Sequence, residues 1–141
     1  MRFAIINGPN LNLLGTREPG IYGAQSFESY LSELRTIFPE HQLEYFQSNI
    51  EGEIINYLHT LIDACDGLVI NPGGYSHTSV AIADALRLLK CRCVEVHISN
   101  VYAREEFRKQ LITASSCTGV ISGLGLAGYQ HAIGFLAGPK Q

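Results

Sequence analysis

Glutamate, histidine and serine occupy alternate positions in the run Val94-Glu95-Val96-His97-Ile98-Ser99-Asn100. Successive side chains of a strand point to opposite faces, so in a strand Glu95, His97 and Ser99 line one side and Val94, Val96 and Ile98 the other. A carboxylate two residues from an imidazole on the same face can fix the imidazole tautomer and raise its basicity, which suits a general acid or base. The same alternation also describes a half-exposed edge strand with solvated Glu and His, and the pattern alone leaves both readings open.

Three loops and one charged segment add candidate groups. Asn7-Gly8-Pro9-Asn10-Leu11-Asn12-Leu13-Leu14-Gly15 is dense in turn formers; it has no lysine and lacks P-loop spacing, which disfavours a nucleoside triphosphate. Its asparagines either orient a water or substrate oxygen or serve ordinary turn chemistry. Thr16 to Gly23, punctuated by Pro19 and Gly20, reads as a lid carrying Arg17 and Tyr22. A tyrosine near pKa 10 is a poor base at neutral pH, and bringing it to about 7 takes roughly 4 kcal/mol of preference for the phenolate. One close guanidinium in a water-poor site can supply that; the alternative is a solvated Arg and a Tyr packed on the rim. In Asn71 to Ser79, one of Ser76, Thr78 and Ser79 is expected to cap the next helix, Asn71 to meet polar substrate groups, and His77 to donate to a ligand hydroxyl or lie at the surface. Arg104 and Arg108 stand at i, i+4, suited to gripping a hydroxyl or carboxylate, while Glu105 and Lys109 repeat that spacing as a solvated ion pair.

The elements that must position these groups follow from hydropathy. Phe3 to Ile6, Leu43 to Phe46, Leu68 to Ile70, Cys93 to Ile98 and Val120 to Ile121 read as strands. Phe27 to Ile37, Glu51 to Ile62, Ser79 to Leu89, Arg104 to Thr113 and Leu126 to Leu136 read as helices. Five βα units imply one α/β domain over residues 1–141, a parallel sheet with helices on both faces. Ligands of such sheets bind beyond the carboxyl ends of the strands, where the candidate residues cluster.

Composition narrows the function classes. The net charge of -3, with ten scattered basic residues, lacks the footprint of a nucleic-acid binder, and no polybasic run marks a membrane surface. The apolar run near Met1 is too short for a signal peptide or a span, so a cytoplasmic protein is expected. Cys65, Cys91, Cys93 and Cys117 form no Cys-x-x-Cys motif and read as small buried hydrophobes of a reducing compartment. Only 16% of residues are charged, against about 25% in a typical soluble domain, which implies burial of surface between copies of the chain. Zinc is disfavoured because His77 and His97 lack further ligands at matching spacing, and a Schiff-base lysine because Lys90, Lys109 and Lys140 lie outside the loops. Gly123-Leu124-Gly125-Leu126-Ala127-Gly128 matches G-x-G-x-x-G but has no following strand to carry an acidic ribose ligand, and reads as a tight turn with close helix–sheet packing. A receiver domain would need acidic residues where Asn7 and Asn71 stand; an FMN-binding flavodoxin would want a Ser/Thr-rich first loop and remains the weaker alternative.

The blocks INGPNLNLLGTREPGIYG, FQSNIEGEIINYLH, INPGGYSHTSVAIADAL, VEVHISNVYAREEFR and GVISGLGLAGYQHAI resemble, in order and spacing, those of the type II 3-dehydroquinate dehydratases, from Phe3 to Leu136. The resemblance implies a flavodoxin-like three-layer fold and a dodecamer of trimers. It implies dehydration of 3-dehydroquinate to 3-dehydroshikimate through an enolate, an anti elimination with no metal and no cofactor, in shikimate biosynthesis or quinate breakdown. Tyr22 would take the C2 proton, held as phenolate by Arg17; Asn10 would hold a water that stabilises the enolate; His97, oriented by Glu95, would protonate the leaving C1 hydroxyl. Asn71 and the backbone of Ile98 and Ser99 would bind the carboxylate end, His77 and Arg108 the ring hydroxyls, and Asp84 would reach a neighbouring subunit's site. Arg104 is expected to help close the lid. Ala83, where many members have Arg, and Gly74-Tyr75-Ser76 depart from the family pattern and bear on the subunit contact and loop packing.

Overall fold

The computed structural model describes residues 1–16 and 24–139. All five apolar runs form strands: β1 (Arg2–Asn7), β2 (Gln42–Gln47), β3 (Gly67–Asn71), β4 (Arg92–His97) and β5 (Gly119–Ser122). They are parallel throughout, in the order β2-β1-β3-β4-β5. That is the flavodoxin-like order, whose direction of winding reverses between β1 and β3. Register carries the consequence for function: Asn7 pairs with Asn71 on one side and Gln47 on the other, so three carboxamides sit abreast at the carboxyl edge.

Side-chain alternation along the strands builds two cores. Phe3, Ile5, Val69, Val94, Val96 and Ile98 face one layer, packed by Phe27, Leu31 and Leu34 of α1 (Phe27–Ile37) and by Tyr129, Ala132, Ile133 and Leu136 of α4 (Ala127–Ala137). Ala4, Ile6, Leu68, Ile70 and Cys93 face the other, against Ile54, Leu58 and Leu61 of α2 (Glu51–Leu61) and Ile82, Ala85 and Leu86 of α3 (Val80–Leu86). The buried positions recur every three or four residues, one stripe per helix, and truncating one of these leucines to alanine costs about 2–5 kcal/mol. Hydroxyls cap two of the helices: Ser26 accepts from the Ser29 N–H at 3.2 Å at the start of α1, and Ser79, one of three expected candidates, accepts from the Ile82 N–H at 2.9 Å at the start of α3.

The helix expected over Arg104 to Thr113 does not form. Residues between β4 and β5 make short 3-10 turns at Val101–Ala103, Glu106–Lys109 and Thr113–Ser116, separated by extended backbone at Arg104, Glu105 and Gln110. The Glu106–Lys109 turn buries no residue, so no apolar stripe holds an α-helix to the sheet. The Ile112 N–H instead donates to the Ser76 carbonyl at 2.7 Å, pulling the segment onto the loop after β3. Glu105 accordingly pairs with Arg108, and Lys109 with Glu106, rather than with each other. α3 is also shorter than expected, ending at Leu86. The G-x-G-x-x-G segment is the turn expected: Gly123 and Gly125 have φ of +89° and +60°, and Gly128 lets α4 approach Val96.

Gly8 brings the loop after β1 against the loop after β3: its N–H donates to the Asn71 carbonyl at 2.8 Å, and a Cβ there would lie 2.3 Å from the Pro72 carbonyl oxygen. Gly8→Ala is therefore expected to lower stability by about 1–3 kcal/mol, read as a drop in the urea midpoint. Gly134→Ala, on the exposed face of α4 with nothing near its Cβ position, should raise stability by roughly 0.5–1 kcal/mol in the same assay.

Candidate active site

The carboxyl ends of β1, β3 and β4 open into a polar cleft of about 110 Å³. Asn10 comes from the loop after β1, Asn71 and His77 from β3 and the turn after it, and His97, Ile98 and Ser99 from the end of β4. Arg104 and Arg108 close its far side, reaching it from the 3-10 turns rather than from one helical face.

Beneath the cleft lies Glu95, fully buried on an interior strand, which excludes the solvated edge-strand reading. Its Oε1 is 2.7 Å from His97 Nε2 and accepts from the Ser76 hydroxyl at 2.5 Å; its Oε2 accepts from the Thr113 hydroxyl at 2.6 Å. A carboxylate has only acceptors to offer, so the imidazole Nε2 carries its proton toward Glu95 and Nδ1 is left as the nitrogen for acid–base exchange. Ser76, expected as a possible helix cap, serves Glu95 instead. Thr113 was not singled out by any sequence pattern: it lies 18 residues from Glu95 in the connection read as a helix.

A second buried network orders the carboxamides. The fully buried Tyr129 of α4 donates its hydroxyl to Asn7 Oδ1 at 2.7 Å and accepts from Asn71 Nδ2 at 3.0 Å, while Asn7 Nδ2 points to the Tyr45 hydroxyl at 3.4 Å. Burial pushes the Tyr129 phenol up and that of Tyr45 up to about 12, so both act as neutral hydrogen-bonding groups. Asn71 Oδ1 accepts from the Gly73 N–H at 3.1 Å, which fixes its amide orientation. Asn10 holds a left-handed backbone with φ of 70°, and its N–H donates to Asn49 Oδ1 at 2.9 Å. Non-glycine residues in that conformation are uncommon and concentrate at functional sites.

His77 Nδ1 lies 2.9 Å from the Gln110 carbonyl and must donate to it. Burial, more than its neighbours His97 and Arg108, holds the His77 imidazole below the usual histidine range. A neutral ring whose Nδ1 proton is committed to the Gln110 carbonyl has Nε2 left as an acceptor. Arg108 is steadied by Glu105 at 2.7 Å, and Arg104 reaches the Ser99 hydroxyl at 3.4 Å. The Ile98 and Ser99 carbonyls are taken by the Gly125 N–H and the Ser122 hydroxyl. Asp84 is not at this cleft: it lies exposed on α3, ion-paired with Arg87. Arg17 and Tyr22 lie outside the described residues. No cysteine lines the cleft; they form two close thiol pairs, Cys65 with Cys91 at 3.3 Å and Cys93 with Cys117 at 3.4 Å, and the Cys117 thiol also lies 3.9 Å from Glu95 Oε2. Among the described residues no cluster of three or more His, Cys, Asp or Glu is arranged to hold a metal ion. No helix among them is long and apolar enough to cross a membrane.

The site thus offers a carboxylate-oriented imidazole, ordered carboxamides and two guanidiniums around a small polar space, suited to acid–base chemistry on a hydroxylated anion. Comparison with known proteins agrees. The family model described as "Dehydroquinase class II" matches residues 1–137. The 3-dehydroquinate dehydratase of Aliarcobacter butzleri is 53% identical over 94% of this chain and 82% of its own, and that of Clostridium perfringens 50% identical over 96% of both. The crystal structure of type II dehydroquinase from Butyrivibrio crossotus superposes with a TM-score of 0.95 at 44% identity, covering 98% of both chains. With the fold, the cleft and these likenesses in agreement along nearly the whole length, the chain belongs to the class II dehydroquinase family.

Proposed function

We propose that this protein eliminates water from 3-dehydroquinate to give 3-dehydroshikimate, with Tyr22 as base and His97 as general acid. The observation that carries the reading is the buried Glu95–His97 pair at 2.7 Å under a cleft lined by carboxamides and guanidiniums. Tyr22, as a phenolate held by Arg17, removes the C2 proton beside the ketone. The electron pair passes to the ketone oxygen as an enolate, which a water on Asn10 stabilises by hydrogen bonding. Collapse of the enolate expels the C1 hydroxyl while His97 Nδ1 delivers a proton to it, so one water leaves and the enone remains. The second proton of His97 stays on Nε2, donated to the Glu95 carboxylate.

Binding follows the chemistry of the lining. Asn71, with its amide orientation fixed by Tyr129 and Gly73, and the backbone of Ile98 and Ser99 receive the substrate carboxylate. His77 accepts from one ring hydroxyl and Arg108, aligned by Glu105, donates to another. Arg104, beside Ser99 at the rim, assists closure of the segment that holds Arg17 and Tyr22. Asp84 acts at a neighbouring subunit's site in a dodecamer of trimers; its exposure, the low charged fraction and the exposed Leu13, Val80, Leu88 and Leu124 support such an assembly.

Three outcomes are expected. Protein treated with a chelator and borohydride should convert 3-dehydroquinate to a product with enone ultraviolet absorbance at undiminished rate; no product from folded protein contradicts the reading. His97→Asn should lower kcat by about 10²–10⁴-fold, the range of a general acid, and Tyr22→Phe and Arg17→Ala by orders of magnitude with unchanged circular dichroism; near-native turnover in any of them reassigns that role. Light scattering should give a mass about twelve times the 15.5 kDa of the chain, and a monomer contradicts the role given to Asp84.

A further inference from the structure

We propose that Thr113 is a positioning residue for the reaction: its hydroxyl, bonded to Oε2 of Glu95, keeps the carboxylate turned so that Oε1 holds His97. The inference rests on the reading of His97 as general acid. Glu95 is 0% exposed and sealed from bulk solvent, so its carboxylate depends on donors within the protein. Oε1 is shared by Ser76 and His97, whereas among the described residues Oε2 has one strong donor, Thr113 Oγ1 at 2.6 Å, with the Cys117 thiol at 3.9 Å besides. Thr113 Oγ1 also lies 3.2 Å from Ser76 Oγ. Each hydroxyl has a single proton, and both protons are claimed by the carboxylate, Ser76 by Oε1 and Thr113 by Oε2.

Removing the Thr113 hydroxyl takes from Oε2 its close partner, and the carboxyl can regain one by rotating about its terminal bond, which breaks the short contact to Nε2. That rotation weakens proton delivery by His97 without touching substrate, because Thr113 is fully buried and does not line the cleft. The hydroxyl is held in place by the backbone of its own segment: the Ile112 N–H donates to the Ser76 carbonyl at 2.7 Å, so the two residues that bracket Glu95 are tied to each other before either meets it.

Thr113→Val, close to isosteric, is expected to lower kcat roughly ten- to hundredfold, the size of one lost hydrogen bond to a charged group, with KM for 3-dehydroquinate unchanged. Thr113→Ser, which keeps the hydroxyl, should retain wild-type kcat. In a Glu95→Gln background Thr113→Val should cost nothing further, because the group it serves is gone. Wild-type kcat in Thr113→Val, an equal loss in Thr113→Ser, or full multiplication of the Thr113→Val and Glu95→Gln effects would overturn the assignment. If Thr113→Val does not fold, Thr113→Ser and Thr113→Ala, which differ by the hydroxyl alone, supply the same comparison. His97→Asn measured alongside separates the two levels: high turnover in that variant removes the His97 reading and the inference with it, whereas a stalled His97→Asn beside a fully active Thr113→Val removes the inference alone.

Discussion

A carboxylate with no access to water is the constraint around which this molecule is organised. Glu95 can keep its charge only if donors surround it, and the ones it has come from three separate stretches: Ser76 from the turn after β3, His97 from its own strand, and Thr113 from the turn before β5. Leaving such a charge without its partners costs about 3–5 kcal/mol, a large part of the net stability of a domain this size. The local conformation of the β4–β5 connection follows. Its residues forgo a helix with no apolar face in favour of the Ile112–Ser76 tie and the Thr113–Glu95 bond, which bring the loops after β3 and β4 to one place.

The second organising layer is neutral. Asn7, Asn71 and Gln47 are neighbours because the parallel register puts them there, and Tyr129 reaches from α4 to fix the first two. The Gln47 amide in turn donates to the Gly8 carbonyl and to Asn49, which holds Asn10 in its left-handed conformation. The Glu95–His97 pair therefore sits at a cleft whose wall is built from hydrogen bonds already satisfied within the protein. A ligand meets groups of set orientation, and little ordering remains to be done when it binds.

Much of this was legible from the chain because it is periodic. The 2-residue repeat in Val94 to Ser99 put Glu95 and His97 on one face, and the five apolar runs placed every strand within two residues of its observed ends. What the pattern could not carry was partnership at a distance. Thr113 looks like any threonine until the fold brings it to Glu95, and Ser76 looks like one of three hydroxyls ahead of a helix until Ser79 takes the cap. The helix expected over Arg104 to Thr113 failed for the same reason: local charge spacing favours a helix, but tertiary hydrogen bonds decide the segment. At His77 the sequence gives no sign of which ring nitrogen is committed, since the Gln110 carbonyl that claims Nδ1 lies 33 positions away.

The contact of His97 Nε2 with Glu95 Oε1 at 2.7 Å requires the neutral ring to carry its proton on Nε2 and leave Nδ1 bare. A long-range proton–nitrogen NMR spectrum of protein labelled at histidine nitrogen reads this directly, with the His97 signals assigned by their loss in His97→Asn. At a pH where the ring is neutral, a protonated, pyrrole-type Nε2 and an unprotonated, pyridine-type Nδ1 are expected for His97. The reverse pattern, with the proton on Nδ1 and a bare Nε2 facing Glu95, would contradict it.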